Sequence, residues 1–128
     1  MMGLTMFFLS NKTLNYLNDY AEQPMTIDEI TEAIQSNRIN VTRHAKQEAK
    51  NDSLTLDDIL FSTYNGEIIA DYSYDKPYPS CLIYGNTSLG EPVHSVWAYD
   101  SVNQIAILIT VYRPDPTRWI NWKERRKS

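Results

Sequence analysis

Two short alternating runs on either side of a proline pair, GEIIADYSYDKPYPSCLIYG at residues 66–85, constrain the fold of this chain more than any other feature. Ile68, Ala70 and Tyr72 alternate with Glu67, Ile69 and Asp71, the period of two expected of a strand with one face buried. Pro77 and Pro79 remove two amide donors and hold the residues before them extended, so 73–79 is a connection and the ladder stops there. Cys81, Ile83 and Gly85 then alternate with Leu82 and Tyr84 in a second strand, whose nearest partner is the first.

Two more strand patterns follow. Pro92 to Tyr99 alternates Val93, Ser95, Trp97 and Tyr99 with His94, Val96 and Ala98, and Ile105 to Arg113 is apolar on both faces, as a central strand is. Asp100 to Gln104 reads as the turn between them, and short connections favour an antiparallel meander of about four strands. Strand parity places Ile68, Ala70, Cys81, Ile83, Val93, Ser95, Trp97, Ile107, Ile109 and Val111 on the face that packs on helices. Asp71, Tyr84, His94, Thr110 and Tyr112 fall on the other, where His94 pairs with Thr110 or Tyr112.

Upstream of the strands the pattern is helical. Thr26 followed by Glu29 opens a helix with Ile27, Ile30 and Ile34 on one face, and Thr42 offers an N-cap to RHAKQEAKND. On that second helix His44, Glu48 and Asp52 share one polar stripe at i, i+4, i+8. Thr55 and Asp58 open a third helix, which Gly66 ends at the left-handed C′ position, while 37–41 is a break or a small extended piece. Met25 begins the clean pattern, which marks it as an alternative translation start, with 1–24 a disordered or loosely packed leader before a single domain at 25–128.

The length of 128 residues suits one core. The net charge of −4 is unevenly spread: from Arg113 onward six basic residues face two acidic ones, which leaves the first 112 residues at −8. An acidic body with a basic tail is a weak nucleic-acid signal, because phosphate binding wants cations across the docking face. The lone cysteine, Cys81, allows no intrachain disulfide and fits a cytosolic location, and on the core face it serves as a small apolar filler. The apolar run near the N-terminus is too short for a signal-peptide core, and no segment approaches the roughly twenty apolar residues of a membrane span.

The pieces HAKQEAKNDSLTLDDI, GEIIADYSYDKPYPSCLIYG, EPVHSVWAYD and ILITVYRPDPTRW, in this order, resemble the bacterial domain-of-unknown-function family 4258 in a form common in cyanobacteria, across Ile27 to Trp119. The resemblance implies an α+β fold similar to the RelE/ParE and MqsR-like toxins, with N-terminal helices on one face of a roughly four-stranded antiparallel sheet and a short basic C-terminal helix or tail. It also implies a toxin of a toxin–antitoxin module that cleaves RNA, partnered by a small antitoxin. Many members carry arginines on the helix after the histidine, where this chain has Glu48 and Asp52.

Metal-independent RNA cleavage needs a base for the 2′-hydroxyl, an acid for the leaving oxygen and a cation for the phosphorane, and histidine suits the first two. The only histidines are His44 and His94, which make the acid–base candidates. Arg113 or Lys50 would supply charge, Tyr72, Tyr84, Thr110 and Tyr112 would bind substrate, and Glu48 and Asp52 would hold a histidine in one tautomer. Each has a plain structural alternative: His44 tied to Glu48 at a helix start, His94 satisfied within the sheet, and the acidic stripe merely solvating its helix. The spacing of these groups is not that of a metal site, and no cofactor is implied. A non-catalytic protein-interaction module on the same fold is the competing expectation.

Overall fold

The computed structural model describes residues 25–127; the leader proposed at 1–24 lies outside the described residues. Helix α1 (Ile27–Gln35) buries Ile30 and Ala33, with Ile27 and Ile34 packed beside them. Thr26 precedes it, but its hydroxyl donates to Glu29 Oε1 at 3.2 Å and caps no backbone amide. Asn37 (φ 58°) closes the helix, with Arg38 N donating to Ala33 O and Asn37 N to Ile34 O, the paired bonds of a Schellman motif. Of the break or small extended piece expected at 37–41, the extended piece is present as strand β1 (Ile39–Val41).

Helix α2 (Arg43–Asn51) is capped by the Thr42 side chain, which accepts from Ala45 N. Helix α3 (Leu56–Tyr64) carries the full capping box of Thr55 and Asp58. Strands β2 (Glu67–Tyr72), β3 (Ser80–Asn86), β4 (Pro92–Asp100) and β5 (Ile105–Tyr112) then form the expected antiparallel meander. The sheet has five strands rather than four, in the order β1-β5-β4-β3-β2, because β1 adds to β5 in parallel.

The C-terminal segment takes strand rather than helix geometry. Trp119 and Trp122, three apart, do not share a helical face: β6 (Trp119–Ile120) and β7 (Glu124–Arg125) make a two-stranded hairpin.

Two bulges correct the strand parity. Between Val96 and Trp97 the β5 partner jumps from Thr110 to Leu108, so Ile109 is an extra residue. Ala106 and Leu108 therefore join Val111 in the core, and Ile107 and Ile109 do not. A second slip between Ile68 and Ala70 places Asp71 opposite Cys81 on the helix face, where its Oδ2 accepts from Met25 N at 2.9 Å, and leaves Ala70 opposite Leu82.

Trp97 is fully buried at the centre, its indole N–H shared between Ser95 Oγ (3.0 Å) and Thr63 Oγ1 (3.2 Å). Cys81 lies in the same core, where burial, with Asp71 and Glu29 adding to it, pushes its thiol up to about 12, so it stays protonated at neutral pH. Gly66 does not adopt a left-handed conformation. It is glycine because a Cβ there would stand 2.6 Å from Tyr84 O and 2.7 Å from Ser62 O.

Candidate functional site

The acidic stripe of α2 lies along the edge of β5 beyond the end of β1. Thr42 N donates to Leu108 O and the Thr42 hydroxyl to Ile109 O; Glu48 Oε1 accepts from Val111 N at 3.1 Å and Asp52 Oδ2 from Arg113 N at 2.7 Å. The match is geometric. Four helical residues rise about 6 Å and two strand residues about 6.8 Å, so carboxylates at i and i+4 meet amides at j and j+2. Glu48 and Asp52 thus supply acceptors that a further strand would otherwise provide.

His44 stands at the start of the same stripe. Its side chain is 66% exposed, with Nε2 3.3 Å from the Glu48 Oε1 that also holds the Val111 amide. A fixed carboxylate orients an exposed imidazole, which is what a general base needs from its neighbour.

His94 has a different setting. The register Tyr84↔His94↔Tyr112 puts three rings in a row on the open face, and the C-terminal hairpin covers the middle one, which is 0% exposed. Its Nε2 lies 2.6 Å from the Trp122 carbonyl, an acceptor only, so Nε2 carries the proton and Nδ1 accepts from the Tyr112 hydroxyl at 3.1 Å. Tyr84, Tyr112 and Trp119 meet the ring edge-on, Trp119 at a centroid distance of 4.5 Å. Burial holds its pKa below the ordinary 6.5, against the raising effect of the Trp122 carbonyl. The two histidines therefore do not share a site: His44 is exposed at the sheet edge, and both nitrogens of His94 are engaged beneath the hairpin.

Thr110 pairs with Val96, and Tyr72 with Ser80, so both share the open face with Tyr84 and Tyr112. At its end opens a pocket of about 430 Å³ lined by Tyr112, Arg113, Asp115, Arg118, Trp119 and Arg125. Arg113 is committed to structure: Nε donates to Asp52 O, Nη2 to Ser53 O, and Nη1 pairs with Glu91 at 3.0 Å. Arg125 stands 5.7 Å over the Trp119 ring. Arg118 and Arg125 make no ion pair among the described residues; the Thr117 hydrogen bonds, with Arg118 adding to them, hold the Asp115 carboxyl of the same lining below its usual range, and Asp115 offsets part of the pocket's positive charge. Burial raises the Tyr112 hydroxyl pKa, with Tyr72 and Glu48 adding to it and Arg125 opposing, so it remains a donor. Lys50, offered as an alternative cation, is not part of this pocket's lining.

Sequence reasoning reached Tyr112 and Arg113 but missed Arg118, Trp119 and Arg125. The available signal was Asn121 between two tryptophans, a residue tolerant of positive φ that fits a hairpin turn better than a helix. Among the described residues, no three His, Cys, Asp or Glu side chains gather as a metal site, and no helix is long and apolar enough to cross a membrane.

Fold and site together define a small mixed α+β domain with a helix-capped sheet edge and a cationic pocket at the end of its open face. Residues 41–113, more than half of the chain, match the family described as Domain of unknown function (DUF4258), and the protein belongs to that family. Neither the curated proteins nor the solved structures contain a match to it.

Proposed function

We propose that this protein binds RNA and cleaves it without metal, as the RelE-like toxin of a toxin–antitoxin pair. The observation that carries the reading is the pocket in which Arg118 and Arg125 flank Trp119 beside Tyr112, on a chain that is otherwise acidic. Guanidinium groups beside aromatic rings suit a flexible single strand, whose phosphates and base faces they contact without reading sequence. The helix-edge-sheet arrangement supports the RelE-like comparison by analogy of fold alone.

In this reading His44, steadied by Glu48, takes the 2′-hydroxyl proton, and the freed oxygen attacks the adjacent phosphorus. A 2′,3′-cyclic phosphate forms as the bond from phosphorus to the 5′-oxygen breaks, and the 5′-oxygen takes its proton from water. Arg118 and Arg125 hold phosphate. From His44 to Asp52, which anchors Arg113, is about 12 Å along α2, so a substrate would have to run along the β5 edge to engage both.

The purified full chain, mixed with a fluorescein-labelled single-stranded RNA in EDTA, is expected to cut it. The His44→Ala variant should bind equally and cut at least about a hundredfold more slowly, the usual scale of general-base loss. Arg118→Ala with Arg125→Ala should weaken binding by about tenfold or more. RNA neither bound nor cut by the wild type would end this reading, as would expression without the neighbouring antitoxin that leaves growth and cellular RNA unchanged.

The second reading is a non-catalytic protein-interaction module. The burial of His94 favours it, because with only two histidines in the chain it leaves one exposed acid–base candidate of that type. RNA left uncut and unbound, with His44→Ala indistinguishable from wild type, would favour it.

A further inference from the structure

We infer that His94 is a positioning residue: its bond to the Trp122 carbonyl latches the C-terminal hairpin onto the sheet and so assembles the cationic pocket. The inference deepens the RNA reading above in what it says of binding, while the latch itself stands on geometry alone.

The pocket is built from two pieces. Tyr112 and Arg113 come from the end of β5, whereas Asp115, Arg118, Trp119 and Arg125 lie past residue 113, where the family match ends. The second group forms a unit of its own. Arg126 N donates to Arg118 O at 2.8 Å, Arg126 Nε to Pro116 O at 3.2 Å, and Lys123 N to Ile120 O at 3.0 Å. Such a unit keeps its shape but needs something to fix its place.

Among the described residues, the hairpin's polar ties to the sheet are the His94 bond and the Lys123–Glu67 ion pair. The ion pair is about half exposed on both sides (50% and 55%) and so contributes little. The His94 ring is fully enclosed, and the bond's geometry is over-determined: the Trp122 carbonyl, which can only accept, fixes the proton on Nε2, Tyr112 engages Nδ1, and Trp119 packs on the ring. The turn presents that carbonyl at a cost. Asn121 and Trp122 have φ of 52° and 67°, and a tryptophan in left-handed backbone is strained unless its surroundings hold it there.

The groups facing the imidazole are Tyr84 from β3, Tyr112 from β5 and Trp119 and the Trp122 carbonyl from the tail, with the Lys123–Glu67 pair and Arg125 as the charges on that side. Of these only the Tyr112 hydroxyl can turn to accept a second imidazole proton, so it is the burial of a charged ring that opposes protonation. Because the docked pKa lies below 6.5, the released form takes up a proton first. Docking is therefore complete above pH 6.5 and weakens as the pH falls below it.

The test uses the full chain and two readouts: trypsin cleavage after Arg118 and Lys123, followed by mass spectrometry, and affinity for a fluorescein-labelled oligouridylate. His94→Phe keeps an aromatic ring without the donor. It should remain folded by circular dichroism, lose tail protection by about tenfold, bind the oligonucleotide about tenfold more weakly, and show no pH dependence of protection between pH 5 and 8. His94→Gln restores an N–H and should recover most of both. Trp122→Gly relieves the strained φ while leaving the carbonyl, so its tail should stay protected. If His94→Phe does not fold, Tyr112→Phe, which frees Nδ1, is expected to loosen the tail in its place. Wild-type protection in the readable variant, or release of the tail by Trp122→Gly, overturns the latch. If the tail is released as expected but the wild type binds no oligonucleotide, the latch holds and the RNA reading fails.

Discussion

Gly85→Ala is expected to destabilise the fold by about 3 kcal/mol or more, at or beyond the usual upper end for overpacking. A Cβ on Gly85 would lie 1.8 Å from Ser62 O and 2.7 Å from Ser62 C, and both are backbone atoms of α3 that no rotamer change can move aside. Either α3 lifts from β3 or the strand bends, and either movement opens the core around Ile59, Thr63 and Trp97. Gly90 is the control. It has open space around it but a φ of 82°, so alanine there should cost only about 1 kcal/mol in backbone strain. Urea denaturation of both variants is the measurement, and a Gly85→Ala midpoint close to that of wild type would show that the helix does not rest on this glycine.

The second large effect is expected from uncapping the β5 edge. Glu48→Ala and Asp52→Ala each remove a charged acceptor from a strand amide and should cost about 1.5–3 kcal/mol, Glu48 nearer the lower figure because its side chain is 27% exposed. The double variant should also expose an unpaired edge and associate more readily. Glu48→Gln retains an oxygen facing Val111 N and should keep most of the stability, which separates edge capping from the effect of charge. Amide exchange reads this residue by residue: protection at Val111 and Arg113 should fall in the alanine variants, and unchanged protection there would leave the edge without the role assigned to these carboxylates.

That edge also shows where pattern reading stops. The stripe His44, Glu48, Asp52 was legible from helical spacing, as were the capping box of Thr55 and Asp58 and the meander of β2 to β5. The stripe's use was not, because it depends on α2 lying beside β5, sixty residues away in the chain. β1 was legible only as a break or a small extended piece for the same reason, since three residues carry no period and become a strand only by pairing with Ala106 to Leu108.

The candidate site divides along similar lines. Alternation alone put Tyr84, His94, Thr110 and Tyr112 on one face, because the side-chain period of a strand is fixed by its covalent geometry. It misassigned Ala70, Asp71, Ile107 and Ile109, since a bulge inserts a residue without any local mark in the sequence. Whether a face is open or covered is a property of the whole chain. The hairpin that lies over His94 turns a candidate acid–base group into a buried one with both nitrogens engaged, and gathers Arg118 and Arg125 with Trp119 into a pocket. The sequence by itself determined the helix starts, the four meander strands and the shared face of the polar residues, all set by short-range periods and caps. Only the tertiary structure decided which of those residues meet solvent, because burial and hydrogen-bond partners come from segments distant in the chain.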